Sequence, residues 1–329
     1  MSHNERNDTT FLRFLAIALI LNSHLGTYYP IDHIGTGGAI GNSIFFMLSS
    51  FGLFLSEQNK SKTFQVYYQK RISRIYPTVW TVLLFLSLPM LIITKGIDGN
   101  DVMKFMGYFF YPPFWFLKAL MVYYFFGYFL IKKYSTKNII CISLLTVIIY
   151  IIFYSMFIGV SSWSIENPPM PIENLPFKLI FYQLIFIYGL VIAKNNSRIK
   201  YQGKIDFYLF IFFLLCMYYH KFLMSKGLFI NCQFLQHVFM FPLLFFIVKI
   251  SRSSLINKLM NIVFVSSFIT WVSSITLEIY MVHIILQKIK ITNLFFFPYN
   301  LIVFLVSTLI ICWIINHIAM RMRTLVFLQ

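Results

Sequence analysis

Long apolar runs, separated by short polar segments, fill most of this 329-residue sequence. Hydrophobic residues make up 59% of the chain and charged residues only 11%, and the mean hydropathy is +0.76. A soluble domain of this length cannot bury so much apolar surface, whereas a run of about 20 apolar residues can span a bilayer as a helix. The sequence therefore predicts an all-α, polytopic transmembrane helical bundle.

The apolar runs and their polar interruptions predict about ten spans. No linker or internal repeat separates them, so residues 1–329 are predicted to form one membrane domain without an additional soluble domain. The predicted spans are residues 11–29, 38–56, 78–94, 107–131, 138–160, 179–193, 205–220, 234–250, 261–286 and 299–319.

Lysine and arginine residues concentrate in alternate connections. The connections after even-numbered predicted spans and the two ends, counted with Arg13 and Lys249 at the adjoining span ends, contain 19 of the 27 cationic residues. The opposite connections contain seven, and Lys118 lies within the fourth predicted span. Cytoplasmic loops carry such an excess, so both termini are predicted to be cytoplasmic and the protein to lie in the cell (inner) membrane. The net charge of +17 then reflects topology and contacts with membrane lipids, and no nucleic-acid partner is expected.

The four cysteines, at positions 141, 216, 232 and 312, are widely separated. They form no CxxC pair and no metal-ligand spacing with histidine. We predict no metal site and no permanently bound cofactor.

Arg71 and Arg74 stand three residues apart at the predicted mouth of the third span, with Lys70 on the same helix face. Planar guanidinium groups at this spacing can hold phosphate or carboxylate oxygens through two hydrogen bonds each. The cluster thus predicts an anion site. The alternative is that these cations contact anionic lipid headgroups.

Several polar residues fall inside predicted spans, where burial is costly unless they face a bundle interior or a watery cavity. Arg13 and His24 lie in the first span, eleven residues or about 16 Å apart on one helix face. Glu278 and His283 lie in the ninth span, where Glu278 is expected to pair with an arginine of the cluster or with His24. Structural alternatives stay open: an imidazole bonded to a backbone carbonyl for His24, and interfacial rings for Tyr280 and His283.

Five short motifs occur in order along the chain: the Phe11–Ala16 stretch up to His24, Gly37–Phe51, Arg71–Pro77, Phe114–Leu117 and Thr276–His283. Together they resemble the acyltransferase 3 family of integral membrane acyltransferases, a family similar to glycan O-acetyltransferases. The resemblance covers essentially the whole chain, and one departure is visible: Ser49-Ser50-Phe51 stands where the family usually has Ser-Gly-Phe. Because serine is also small, we expect function to survive this change.

The resemblance implies transfer of an acyl group, most often acetyl from acetyl-CoA, to a hydroxyl of a cell-envelope glycan such as an O-antigen, exopolysaccharide or lipid-linked sugar. Acetyl-CoA or another acyl-CoA would be the donor substrate. A second copy of the chain, in a homo-oligomer, is a further candidate partner. The sugar, its hydroxyl, the acyl group, the leaflet of the acceptor and the existence of an acyl-enzyme stay open. The alternative from another class is a proton-coupled transporter, flippase or glycan-export component, which would also use intramembrane Arg, His and Glu.

The same resemblance implies a role for each candidate residue. His24 would be the general base, and Glu278 would support catalysis by orienting His24 or binding the sugar. Arg13, Arg71 and Arg74 would bind the phosphates of CoA. Asn42 or Ser49 would polarise the thioester carbonyl, and Trp115, Tyr280 and His283 would give substrate or structural support.

Overall fold

The computed structural model describes residues 3–58, 63–95, 99–132, 136–157, 178–289 and 295–327. These residues contain fourteen α-helices and no strand, which confirms the all-α prediction. The helices are α1 (His3–Ser23), α2 (Gly38–Gln58), α3 (Phe64–Val82), α4 (Leu88–Lys95), α5 (Gly99–Tyr108), α6 (Trp115–Lys132), α7 (Thr136–Phe157), α8 (Lys178–Lys194), α9 (Lys204–Ser225), α10 (Phe234–Ser251), α11 (Ser254–Asn261), α12 (Val263–Ser274), α13 (Thr276–Leu286) and α14 (Tyr299–Phe327).

Within the described ranges, seven helical segments are long and apolar enough to cross a membrane. An eighth is obtained if α11 and α12, which meet at an angle of 96°, form one broken span. The chain is thus a multi-pass membrane protein, whereas ten spans and cytoplasmic termini stay predictions. The seven segments are Asp32–Glu57, Phe64–Ile93, Trp115–Lys132, Lys137–Met156, Lys204–Ser225, Phe234–Ser251 and Tyr299–Val326.

The helix that carries the arginine cluster begins earlier than predicted. Helix α3 starts at Phe64, where the Thr63 side chain caps it by accepting a hydrogen bond from the Val66 amide. It continues past Pro77 and through a π-helical segment, Leu83–Ser87, into α4. Arg71 and Arg74 therefore lie within a helix and not at its mouth. The helix of the third predicted span, residues 78–94, thus begins at Phe64, because Pro77 lies inside the helix and does not start it.

The first predicted span, residues 11–29, is also displaced, because α1 ends at Ser23. The Asn22 amide donates hydrogen bonds to the carbonyl oxygens of Ile34 (2.8 Å) and Thr36 (2.9 Å), and Tyr29 donates to Asn22 Oδ1 (2.7 Å). These bonds fold the following loop back onto the helix end. His24 thus lies in the turn after α1, and not inside a helix as predicted.

Two further predicted spans are interrupted. The fourth, residues 107–131, contains the end of α5, a turn and then α6 from Trp115. The ninth, residues 261–286, is divided into α12 and α13 at Ile275, whose backbone is not helical (φ −109°, ψ 23°). Residues 158–160 of the fifth predicted span lie outside the described residues.

The chain forms two compact units that alternate along the sequence. The first contains Met1–Leu12, Asn42–Ser61 and Phe126–Ser267. In it, α9 packs on α10, and a buried Lys249–Asp206 ion pair of 2.6 Å joins these helices. Arg252 binds Asp8 at 3.2 Å and the Asn196 carbonyl at 2.9 Å, which holds the start of α1 in this unit.

The second unit contains Arg13–Gly41, Lys62–Phe125 and Phe268–Gln329. Its centre is built from α3, α13 and α14, each of which packs against the other two. Among the candidate residues, Asn42 and Ser49 belong to the first unit, and all the others belong to the second. The prediction of one domain over the whole chain stays a prediction.

Candidate active site

Two histidines from distant parts of the sequence meet in the second unit. The ring centroids of His24 and His283 lie 5.1 Å apart, with the rings tilted by 54°. His24 is exposed, whereas His283 on α13 has an exposed fraction of 0%. The accessible imidazole of His24 thus packs against the buried imidazole of His283, and the sequence did not predict this contact.

The hydrogen bonds of His283 determine which of its nitrogens carries the proton. Nδ1 lies 2.7 Å from the carbonyl oxygen of Ile279. Because a carbonyl only accepts, Nδ1 must donate, and in the neutral ring Nε2 is left with its lone pair. This buried Nε2 has no hydrogen-bond partner among the described residues.

The backbone around His24 is held by main-chain and side-chain hydrogen bonds. Its amide donates to Leu21 at 3.1 Å, and its carbonyl oxygen accepts from the side chain of Gln287 at 2.5 Å. Gln287 follows His283 by one helical turn, so one short stretch of chain contacts both the ring and the backbone of His24. Asn300 donates to the Tyr28 carbonyl at 3.1 Å and fixes the same loop further on.

The predicted donor arginines take two different environments. Arg13 and Arg74 are exposed, and their like charges are close enough to repel each other. Arg71 instead has an exposed fraction of 9%, and its guanidinium carbon lies 5.4 Å from the ring centroid of Tyr67 and 5.8 Å from that of Tyr124. Arg13 and Arg74 therefore lie within electrostatic range of each other, whereas Arg71 packs against aromatic rings.

Tyr124 on α6 connects these arginines and was missed by the sequence reasoning. Its ring contacts Arg71, its side chain interacts electrostatically with Arg13, and its carbonyl oxygen accepts a hydrogen bond of 3.0 Å from the Tyr67 hydroxyl. In sequence it is one of 21 tyrosines in an apolar chain, and nothing local distinguishes it. Only the packing of α3 against α6 gives it a role.

Glu278 has a partner that the sequence did not suggest. The carboxylate is buried, with 5% of the residue exposed, and it accepts a hydrogen bond of 3.1 Å from the Thr78 hydroxyl on α3. Within the described residues this bond replaces the expected pairing with an arginine or with His24. A buried carboxyl in an apolar bundle needs such a partner, and here it joins α13 to the helix of Arg74.

Tyr280 and Trp115 belong to a cluster of aromatic rings that reaches His283. Tyr280 is buried, and its ring centroid lies 6.1 Å from that of His283 and 5.2 Å from that of Phe116. Trp115 contacts the same Phe116 at 6.1 Å. Tyr280 therefore packs directly against His283, whereas Trp115 is connected to it only through Phe116.

Asn42 and Ser49 lie on α2, in the first unit. Asn42 Oδ1 is buried and has no hydrogen-bond partner in the described part of the chain. Next to Ser49, Ser50 is fully buried and donates to the Met47 carbonyl at 2.9 Å. It packs against Gly189, where any added Cβ would overlap the Ser50 hydroxyl. A glycine on the facing helix thus makes room for this serine.

In the described ranges, no group of three or more His, Cys, Asp and Glu residues is arranged to hold a metal ion. All four cysteines are free thiols.

Comparison with known proteins identifies the family. The sequence profile of the family described as "Acyltransferase domain" matches residues 8–317, nearly the full length of the chain. No curated protein and no solved structure has a significant match to this chain. The profile includes every candidate residue named above, from Arg13 to His283, and the structure is all-helical with several membrane-spanning segments. This protein therefore belongs to the acyltransferase 3 family and is a membrane acyltransferase.

Proposed function

We propose that the protein transfers an acetyl group from acetyl-CoA to a hydroxyl of a cell-envelope glycan, with His24 as the general base. The observation that carries this proposal is the His24–His283 contact, because it combines an accessible imidazole with a rigid backbone. A general base must reach its substrate and keep a fixed position, and neutral imidazole is suited to accepting a proton near neutral pH.

The reaction needs one proton to move and one bond to be exchanged. The acceptor oxygen attacks the thioester carbonyl, a C–O bond forms and the C–S bond breaks. His24 accepts the proton of the acceptor hydroxyl and then passes it to the sulfur of CoA, which leaves as a thiol. Transfer is direct in this scheme, and it requires no metal and no covalent intermediate on the protein.

The donor site is assigned to Arg13 and Arg74. Both are exposed, and a bound anion would offset the electrostatic repulsion between their charges. Guanidinium groups form charge-assisted hydrogen bonds with phosphate oxygens, which CoA supplies. Arg71, buried between Tyr67 and Tyr124, would support this site by packing and not by contact with the donor.

The acceptor is proposed to be a sugar hydroxyl of an O-antigen, exopolysaccharide or lipid-linked saccharide at the inner membrane. Support comes from the family and from the membrane location of the site, since a lipid-linked or nascent glycan is available there. Asn42 and Ser49 are kept as candidates for polarising the thioester. Glu278 is assigned to holding α13 on α3, because its carboxylate binds Thr78.

The test measures O-acetyl groups on the envelope glycan by mass spectrometry, in cells with and without the gene. Wild-type protein should add acetyl groups, and the His24→Ala variant should not, although it inserts normally in the membrane. Equal acetylation in all three strains would contradict the proposed reaction.

A further inference from the structure

We propose that His283 positions His24 for catalysis by accepting a hydrogen bond from the His24 ring. This inference rests on the proposed function, in which His24 is the base. It concerns Nε2 of His283, a buried acceptor that no other described residue satisfies.

The protonation of His283 makes it an acceptor at this position. The Ile279 carbonyl, 2.7 Å from Nδ1, keeps the proton on that nitrogen. Nε2 then presents a lone pair inside a part of the bundle from which solvent is excluded, since His283 has an exposed fraction of 0%. A buried acceptor without a partner is unfavourable and is rare in folded proteins, so it calls for a donor.

His24 is the nearest ring that can supply this donor. The two imidazoles are in ring contact at 5.1 Å between centroids, and His24 is exposed, so its ring has room to rotate. Its backbone stays in place because Gln287 holds its carbonyl oxygen. Catalytic hydrogen bonds are commonly loose without substrate and shorten in the reactive complex.

The consequence for His24 is a defined tautomer. When one ring N–H donates to His283 Nε2, the other nitrogen carries the lone pair that faces the acceptor hydroxyl. After that nitrogen takes the substrate proton, the same hydrogen bond stabilises the resulting imidazolium. A buried carboxylate does this for the histidine of a catalytic triad, and here a neutral imidazole would do it.

The experiment compares two substitutions of His283 in the full-length purified protein. His283→Leu is similar in size but has no acceptor, whereas His283→Gln keeps an acceptor oxygen. His220→Phe is the matched control, because His220 is also a buried histidine with unpaired ring nitrogens. In the described residues neither Nδ1 nor Nε2 of His220 has a hydrogen-bond partner, and the residue lies in the first unit. The readouts are kcat and KM for acetyl-CoA, from thiol release in the presence of isolated envelope glycan, and the thermal midpoint Tm.

We expect His283→Leu to lower kcat roughly 10- to 100-fold with KM for acetyl-CoA unchanged, as for loss of a residue that orients a catalytic group. Its Tm should not fall, because the substitution also removes the unsatisfied Nε2. His283→Gln should restore most of kcat, and His220→Phe should leave it unchanged. A His283→Leu variant as active as the control would overturn the inference, as would Leu and Gln variants that are equally slow. The proposed function fails separately, if His24→Ala remains active.

Discussion

Thr78 on α3 donates a hydrogen bond of 3.1 Å to Glu278 on α13, across 200 residues of sequence. The bond joins the helix that carries Arg74 to the short helix that carries His283. Since Glu278 is buried and does not contact His24 through any described hydrogen bond, its contribution is expected to be the alignment of these two helices.

Removing the Thr78 hydroxyl should therefore destabilise the protein. Thr78→Val leaves a buried carboxyl without its partner, which should cost about 1–3 kcal/mol in unfolding free energy. Glu278→Gln keeps an acceptor oxygen for Thr78 and should retain most stability and activity. Thermal unfolding in detergent and transfer assays measure both effects. A stable but inactive Glu278→Gln protein would instead place the carboxylate in the chemistry.

The exposed and the buried arginine should respond differently to substitution. Arg74→Ala should raise KM for acetyl-CoA, because loss of a charge-assisted hydrogen bond costs about 1.5–3 kcal/mol. Arg74→Lys should recover only part, since lysine lacks the planar two-pronged geometry. Arg71→Ala should mainly lower Tm, because it removes the contacts with Tyr67 and Tyr124. If Arg71→Ala leaves Tm unchanged and raises KM as strongly as Arg74→Ala, Arg71 binds the donor directly.

Tyr124→Phe separates the two contacts of that side chain. The phenylalanine ring can still pack on Arg71, but the interaction of the hydroxyl with Arg13 is lost. KM for acetyl-CoA should rise with kcat nearly constant, because Arg13 belongs to the proposed donor site and not to the reacting groups. Arg13→Ala is the reference: combined with it, Tyr124→Phe should have little further effect on KM. Additive effects in the double variant would show that the two residues act independently.

His24→Gln is the most direct test of the base. Glutamine fills the space and forms hydrogen bonds but cannot accept a proton, so kcat should fall by about 10² or more. Tm should change little, because the ring is exposed and Gln287 binds the backbone carbonyl, which the substitution keeps. An active His24→Gln enzyme would assign the proton transfer to another residue.

Gly189→Ala tests the packing that admits Ser50. The added methyl group would overlap both the Ser50 hydroxyl and the Met47 carbonyl oxygen, so unfolding free energy should fall by about 1–3 kcal/mol. Ser50→Gly, which restores the residue usual in the family, should be tolerated. Because the Met47 backbone stays in place, Ser50→Gly should rescue Gly189→Ala only in part. Equal Tm values for Gly189→Ala and wild type would show that α2 and α8 can move apart at this point.

The sequence alone determined the class of the protein and its family, because both depend on local and additive properties. Apolar run length and composition indicated a helical membrane protein, and five short motifs in order, from Phe11–Ala16 to Thr276–His283, carried the family resemblance. The family profile over residues 8–317 confirmed it.

The tertiary structure decided which of these residues meet. Three features depend on segments that are distant in sequence or lie on different helices. They are the burial of Arg71, the hydrogen bond of Glu278 with Thr78 and the ring contact of His24 with His283. Helical periodicity predicts neighbours only three or four residues apart on one helix, so it cannot predict such contacts. The sequence could not predict the end of α1 for the same reason. Asn22 at this end donates hydrogen bonds to the carbonyl oxygens of Ile34 and Thr36, which form only after the loop folds back.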